Sequence, residues 1–218
     1  MSRPVILVVG AGPGVSGSVA RRFADEGYDV GLISQDQQVL DDLVPDLEAR
    51  GAAVGHAVVD ITDEQAARDA VRRMGEHTGR IDVVHFNPSA YRAEDALTLT
   101  VAGLLEDVAL GVGALLTVVQ AARPFMSEGA RVSVTGSVAA DDPWEGAASL
   151  GVQKAGVRNL VHSLDKTLAP DGIRAVSVTV RGALSREGAF TPDRVADAIW
   201  AAVTRDAGEW SSELPYSG

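Results

Sequence analysis

Val-Ile-Leu-Val-Val-Gly-Ala-Gly-Pro-Gly-Val-Ser-Gly, residues 5–17, is the stretch that decides the fold. Its first five residues are apolar and mostly β-branched, which predicts a buried strand. The glycines that follow predict a tight turn, and the amphipathic stretch 16–26, which ends at Gly27, predicts a helix. The stretch therefore predicts a strand, a turn and a helix in direct succession.

The same alternation repeats along the chain. Because repeated βα units force parallel strands and right-handed crossovers, the pattern predicts an α/β fold: a doubly wound, Rossmann-like parallel sheet in a three-layer αβα sandwich, with residues 1–218 as one domain. The predicted strands are 5–9, 29–33, 53–59, 81–86, 131–135 and 173–180, with an edge strand at 210–214, and the predicted helices after the first are 37–50, 63–78, 96–126, 147–168 and 192–205.

Composition excludes several functional classes. The net charge of −11 offers no basic surface for nucleic acid. The absence of cysteine excludes thiol nucleophiles, disulfides and Cys-ligated metals, and no metal site is expected. No apolar run approaches the roughly 20 residues of a membrane span. We expect a cytoplasmic protein without a membrane or nucleic-acid partner.

The glycine turn lies where a doubly wound sheet binds ligands, at the carboxyl end of its first strand. There, backbone N–H groups of Gly10, Gly12, Gly14 and Val15 can approach a pyrophosphate at the helix N-terminus. Two glycine registers compete: Gly12, Gly14 and Gly17 fit G-x-G-x-x-G, whereas Gly10 and Gly14 fit a wider spacing. A purely structural turn is the alternative.

Two further strand ends carry candidate ligand groups. After the third strand, the Asp60 carboxylate can accept the adenine amino group and Ile61 can cover the ring, although Thr62 could simply start a helix. Asn87 follows the fourth strand. The segment Thr135-Gly136-Ser137 follows the fifth, and Lys154 stands in the next apolar helix.

In order and spacing, these features resemble the short-chain dehydrogenase/reductase family. The resemblance favours the wider glycine register. It implies that the turn binds pyrophosphate, that Asp60 binds adenine, and that Asn87 belongs to the family's segment after the fourth strand. It also implies that Ser137 orients a substrate carbonyl and that Lys154 binds the nicotinamide ribose.

The sequence departs from the family pattern where the chemistry should be. The family's catalytic tyrosine falls at Leu150, four residues before Lys154, and leucine cannot transfer a proton. The family's helical asparagine falls at Leu110 or Gly111. The remaining departures are Ser16 at the third glycine, Arg181-Gly182 after the sixth strand, and Arg186 in place of a frequent threonine.

The resemblance implies NAD or NADP as cofactor, and Asp36 near the end of the second strand favours NAD. The substrate-covering region near 181–192 is shortened. The long helices 96–126 and 147–168 are those through which relatives pair, so a homodimer or homotetramer is expected.

Two functions remain open. One is an NAD(P)-dependent oxidoreductase acting on an unknown small carbonyl or alcohol, with Ser137 and Lys154 retained. The other is a catalytically silent dinucleotide-binding protein with a sensing or partner-subunit role. Tyr91, Trp144 and Glu145 are the nearest candidates for a substitute acid, and ordinary loop or packing roles are the alternative for each. His85, within an apolar strand, is expected to be buried and hydrogen-bonded.

Overall fold

The computed structural model describes residues 3–218, and its central feature is a seven-stranded sheet. Every neighbouring pair of strands is parallel, and the strand order is β3-β2-β1-β4-β5-β6-β7. The order reverses beside β1, which creates the crevice in which such sheets bind ligands. The strands are β1 Val5–Val9, β2 Asp29–Ser34, β3 Val54–Val58, β4 Val83–Phe86, β5 Arg131–Ser137, β6 Arg174–Val180 and β7 Glu213–Tyr216.

Helices cover both faces of the sheet, which confirms the predicted doubly wound fold. Leu7 and Val9 of β1 belong to one buried cluster, and Ile6 and Val8 belong to the other. This alternation places a core on each side of the strand. The helices are α1 Val15–Asp25, α2 Gln37–Ala49, α3 Glu64–Thr78, α4 Val101–Val108, α5 Ala114–Ala122, α6 Ala148–Leu168 and α7 Pro192–Val203.

Two predicted boundaries were wrong. The helix expected to start at residue 96 begins at Val101, because Asp95 and Thr98 form a hydrogen-bonded turn and the Thr100 hydroxyl then caps the helix by accepting from Gly103 N. The edge strand expected at 210–214 lies at Glu213–Tyr216 instead.

The helix that follows β4 runs without a break from Val101 to Phe125, with a π-helical turn at Ala109–Gly113 between α4 and α5. With a mean hydropathy of 1.8 over its most apolar window, it is long and apolar enough to cross a membrane. The expectation that no such stretch exists was therefore wrong. In this fold the helix packs into the core through Leu115, Val118 and Val119.

Candidate functional site

A cleft crosses the carboxyl ends of β1, β2, β4 and β5, and it is divided into two compartments. The first has a volume of about 240 Å³ and the second of about 490 Å³. Gly10, Pro88 and Ser89 line both compartments and form the ridge between them. The ridge is closely packed, since a Cβ atom on Gly10 would lie 2.8 Å from the Pro88 ring.

The glycine turn leaves the N-terminus of α1 open to a ligand. Gly14 is the N-cap residue. Within residues 3–218 no side chain caps the helix, and apart from its chain neighbours no atom lies within 4 Å of where a Gly14 Cβ would be. By contrast, Asp36 caps α2 and Asp63 caps α3. An uncapped helix N-terminus presents unpaired N–H groups and a positive dipole end, so this turn suits an anion. Gly14 and Val15 line the second compartment.

The glycines of both competing registers have structural roles in the turn. Gly10 adopts φ +75°, where a side chain would be strained, and its N–H donates to Ile33 O over 2.9 Å. Gly17 packs on the turn, because a Cβ there would lie 2.5 Å from Gly12 O. Gly12 itself donates through its backbone N–H to Ser16 Oγ over 2.9 Å. Ser16, the departure from the family pattern, therefore braces the turn.

The first compartment has apolar walls and one carboxylate at its edge. Val39, Val59 and Ile61 line it, which suits a flat ring, and Leu110 from the π-helical turn joins them. Asp36 also lines this compartment, and its carboxylate accepts from Gln38 N over 2.9 Å. Among the described residues none donates to Asp36 Oδ2, so this oxygen can accept from a ligand's hydroxyl groups.

Asp60 stands beside this compartment but does not line it. Its Oδ1 accepts from the Thr62 hydroxyl over 2.7 Å and from Thr62 N over 2.9 Å. These hydrogen bonds hold the pKa of Asp60 below its ordinary value. The carboxylate is therefore ionised and fixed in place next to Ile61. The helix after it starts at Asp63, whose side chain accepts from Ala66 N, and not at Thr62.

The second compartment brings together three of the residues that the sequence analysis named, Asn87, Ser137 and Lys154. Ser137 ends β5, and its Oγ accepts from Ala139 N over 3.2 Å. Since that bond uses a lone pair, the hydroxyl proton of Ser137 is free to be donated. Val180, Gly182 and Leu184 also line this compartment.

Lys154 reaches this compartment from α6 and is almost fully buried, with 7% of its surface exposed. Its Nζ donates to the Thr135 carbonyl oxygen over 3.0 Å. Burial without a carboxylate partner lowers the pKa of Lys154 to about 8. The side chain is therefore poised to hold or release a proton near neutral pH.

A chain of buried hydrogen bonds supports Asn87 from behind. The Thr135 hydroxyl donates to Asn87 Oδ1 over 2.7 Å, so it must accept from His85 Nε2, which lies 3.4 Å away. His85 Nδ1 then accepts from Ser133 Oγ over 3.0 Å. His85 is fully buried, which lowers its pKa to about 3 and keeps the ring neutral. The expectation of a buried, hydrogen-bonded histidine is confirmed.

Sequence reasoning missed Gln153. Its buried amide accepts from Ala90 N over 2.9 Å and donates to Ala90 O over 3.2 Å, which ties α6 to the loop after β4. A Cβ on Gly111 would lie 2.5 Å from Gln153 Oε1. The glycine in the π-helical turn therefore makes room for this amide. Its position beside Lys154 in an apolar helix was the available signal.

The proposed substitute acids lie elsewhere. Tyr91 stacks on Trp144 at the surface, with ring centroids 6.3 Å apart. Trp144 and Glu145 line a separate apolar groove against α6. Leu150 is half-buried in α6, one turn before Lys154. The region near 181–192, where the sequence places a shortened lid, contains no helix before α7 begins at Pro192.

Comparison with known proteins gives one consistent family. The family described as short chain dehydrogenase matches residues 4–186. Sulfoacetaldehyde reductase 2 of Chromohalobacter salexigens is 29% identical over 178 residues, which cover 80% of this chain and 70% of that protein. Tropinone reductase-like 3 of Erythroxylum coca is 28% identical over 167 residues, 76% of this chain and 65% of that protein. The chain thus spans about two thirds of the length of these relatives.

Solved structures show the same fold over the whole chain. A short chain dehydrogenase from Burkholderia cenocepacia, in complex with NADP, superposes with a TM-score of 0.90 at 26% identity, covering 100% of this chain and 96% of that one. A short-chain dehydrogenase/reductase from Serratia marcescens gives a TM-score of 0.88 at 21% identity, with 98% and 96% covered.

Proposed function

Because the chain belongs to the short-chain dehydrogenase family, we propose that it is an NAD(P)-dependent oxidoreductase that interconverts a small carbonyl compound and its alcohol in the second compartment. The observation that carries this proposal is the divided cleft. Two compartments of different lining meet at a glycine ridge beside an uncapped helix N-terminus, which suits a ligand with two rings joined by a pyrophosphate. The NADP bound to the Burkholderia cenocepacia relative supports the same ligand class here.

The residues of the cleft fit the two ends of a dinucleotide. Ile61 and Val59 would hold the adenine ring, with the amino group directed towards Asp60. The α1 turn would hold the pyrophosphate through the N–H groups of Gly14 and Val15. Lys154 would bind the nicotinamide ribose.

We favour NAD over NADP because of Asp36. Its carboxylate lies at the edge of the first compartment, where it can accept from ribose hydroxyl groups and repels a phosphate in the same place. The described residues that line this compartment include no arginine or lysine that would bind such a phosphate.

Ser137 and Lys154 would carry the chemistry. When bound, a reduced dinucleotide would supply the hydride that the carbonyl carbon receives. Ser137 donates a hydrogen bond to the carbonyl oxygen, and the Lys154 ammonium transfers a proton to that oxygen as the alcohol forms. A pKa of about 8 matches this role near neutral pH. We take Leu150 to stand where the family's tyrosine would act, so the lysine replaces it as the acid.

Calorimetric titration with NADH and NADPH tests the first step. We expect micromolar binding of NADH and at least tenfold weaker binding of NADPH, since a phosphate would face the Asp36 carboxylate. Asp36→Ala should reduce that preference. If a folded protein binds neither dinucleotide, the proposed function is wrong.

The pH dependence of turnover tests the acid. With any reducible carbonyl substrate found in a screen, reduction should slow above pH 8 as Lys154 loses its proton, and Lys154→Met should abolish it. Leu150→Tyr should raise turnover by about 10² to 10⁴-fold and shift its pH profile, because it restores a phenolic donor. An unchanged profile in that variant would contradict the assignment of Leu150.

Leu150 also supports a second candidate function, a dinucleotide-binding protein without catalysis. In that case NADH binds, no carbonyl is reduced, and Leu150→Tyr creates activity only if the second compartment still admits a substrate. Retained NADH affinity with no turnover in either protein favours this sensing or partner-subunit role.

The surface of the long helix supports a second copy of the chain as partner. Val101, Leu105 and Leu116 on this helix are exposed at 74%, 62% and 41%. Exposed apolar side chains grouped on one helix are typical of interfaces. We propose a homodimer or homotetramer through this helix, and Leu105→Glu should shift the sedimentation coefficient towards the monomer.

A further inference from the structure

A second cavity, of about 440 Å³, lies on the sheet away from the cleft. We name it the α3 groove. Its floor is formed by β1, β2 and β3 and its wall by α3. The helix contributes one face, Ala70, Arg73, Met74, His77 and Thr78, at helical spacings of three and four residues.

The α3 groove exists because two strand residues that line it lack side chains. Gly31 and Gly55 are paired in β2 and β3. A Cβ on Gly55 would meet no atom within 4 Å, whereas one on Gly31 would lie 3.1 Å from Met74 Sδ. Glycine inside a strand costs stability and often marks a place where a ligand approaches. The open space is therefore greatest above Gly55, near the edge strand.

The groove is distinct from the dinucleotide cleft but lies on the same strands. Gly31 and Ala57 line the groove, and two residues further along, Ile33 and Val59 line the first compartment of the cleft. Residues two apart in a strand face the same side of the sheet. The two sites are therefore consecutive along one face of the sheet.

Among the residues that line the α3 groove, positive charge is in excess over negative charge. Asp29 is the one carboxylate among the described residues that line it, and it is already held by Arg3 at 3.6 Å and by Ala53 N at 3.0 Å. Arg73 is exposed at the rim and makes no hydrogen bond or salt bridge within residues 3–218. In a chain of net charge −11, this leaves a local positive site above an apolar floor.

We propose that the α3 groove binds a small anion with an apolar body, such as a medium-chain carboxylate. The apolar body would pack on the half-buried side chains of Ala57 and Met74, above Gly55, and the carboxylate would face Arg73 at the rim. The volume lies within the range of small-molecule sites, and an apolar lining with few polar groups is typical of them.

Calorimetric titration with decanoate, below its micelle-forming concentration, tests this proposal. Decanol and decylamine serve as probes with the same chain and a neutral or positive head. We expect decanoate to bind at one site per chain and at least about tenfold more tightly than decanol, with decylamine weakest. Equal binding of decanoate and decanol, or no binding of decanoate, would overturn the proposal.

Two variants locate the site. Gly55→Leu places a side chain in the open space and should abolish decanoate binding. Arg73→Glu should weaken it about tenfold, because a like charge then faces the carboxylate. Arg72→Glu is the matched control, since it makes the same change at the next, exposed residue of α3, which does not line the groove.

Decanoate binding that survives both Gly55→Leu and Arg73→Glu would place the ligand elsewhere, for example at the apolar groove beside Trp144, and would refute the assignment. NADH titration of each variant reports separately on the cleft. Because Arg73→Glu changes only an exposed residue, its result decides the question even if Gly55→Leu does not fold.

Discussion

The Thr135 hydroxyl donates to the Asn87 amide oxygen over 2.7 Å, across the junction of β4 and β5. This bond holds the amide group of Asn87, which lines the second compartment. The position of the Asn87 side chain therefore depends on Thr135 in the next strand and, through Thr135, on His85.

Replacing the Thr135 hydroxyl tests this dependence. Thr135→Val removes the donor at nearly constant volume, so we expect NADH binding to weaken about fivefold to tenfold, in line with one hydrogen bond of about 1 kcal/mol. Thr135→Ser keeps the hydroxyl and should bind as the unaltered protein does. Calorimetric titration measures both, and equal losses in the two variants would show that the methyl group, not the hydroxyl, matters.

The sequence predicted the succession of strands and helices along the chain well, because strands and helices leave local patterns. The strand Val5–Val9 and the turn after it were identified from residue types alone, and the glycine positions near Gly10 agree with the backbone geometry. The resemblance to the short-chain dehydrogenase/reductase family implied a shared site for Ser137 and Lys154, and both residues line the second compartment.

The contacts behind the site could not be predicted in the same way. Thr135 and Asn87 are joined across 48 residues, and Gln153 reaches Ala90 across 63. Such pairs depend on strand register and helix packing, which no local spacing encodes. The helix start at Val101 was missed because an Asp95–Thr98 turn resembles the first turn of a helix in sequence.

Burial of His85 should make the protein less stable in acid. The folded chain binds a proton there only near pH 3, whereas an unfolded histidine binds one near 6.5. Below 6.5 the unfolded state therefore holds the extra proton, and stability falls as pH decreases, by about 1.4 kcal/mol per unit. Relative to His85→Gln, the unaltered protein should lose about 2 kcal/mol between pH 6.5 and 4.5, measured by urea unfolding. Parallel curves for the two proteins would contradict a neutral His85.

Burial of Lys154 should also make stability rise with pH, but in an alkaline range. Its pKa is about 8 when folded and 10.5 as the ordinary value. Between these values the unfolded chain retains a proton that the folded chain has released, so stability rises with pH. Urea unfolding at pH 7.5 and 9.5 should show the unaltered protein gaining about 2 kcal/mol relative to Lys154→Met. A constant difference would mean that the ammonium is solvated.

The ridge of the cleft should tolerate no side chain at Gly10. Gly10→Ala combines a positive φ with a contact 2.8 Å from the Pro88 ring and should cost about 3 kcal/mol or more in unfolding free energy. Gly51→Ala is the control, since Gly51 has φ +84° in open space, and it should cost only about 1 kcal/mol. Chemical denaturation gives both values, and equal costs would remove the steric role of Pro88.

The ridge of Gly10, Pro88 and Ser89 gives the cleft two separate binding positions, one on each side of it. A ligand that fills one compartment makes no contacts in the other. The separate halves of a dinucleotide should therefore each bind weakly, even when both are present in excess. Once one half is bound, its covalent link to the second half raises the effective concentration of that half to the millimolar range or above. Avidity of this kind lets two shallow compartments hold one long ligand without a lid that closes over it. The second compartment then stays open, so its contents can exchange with solvent.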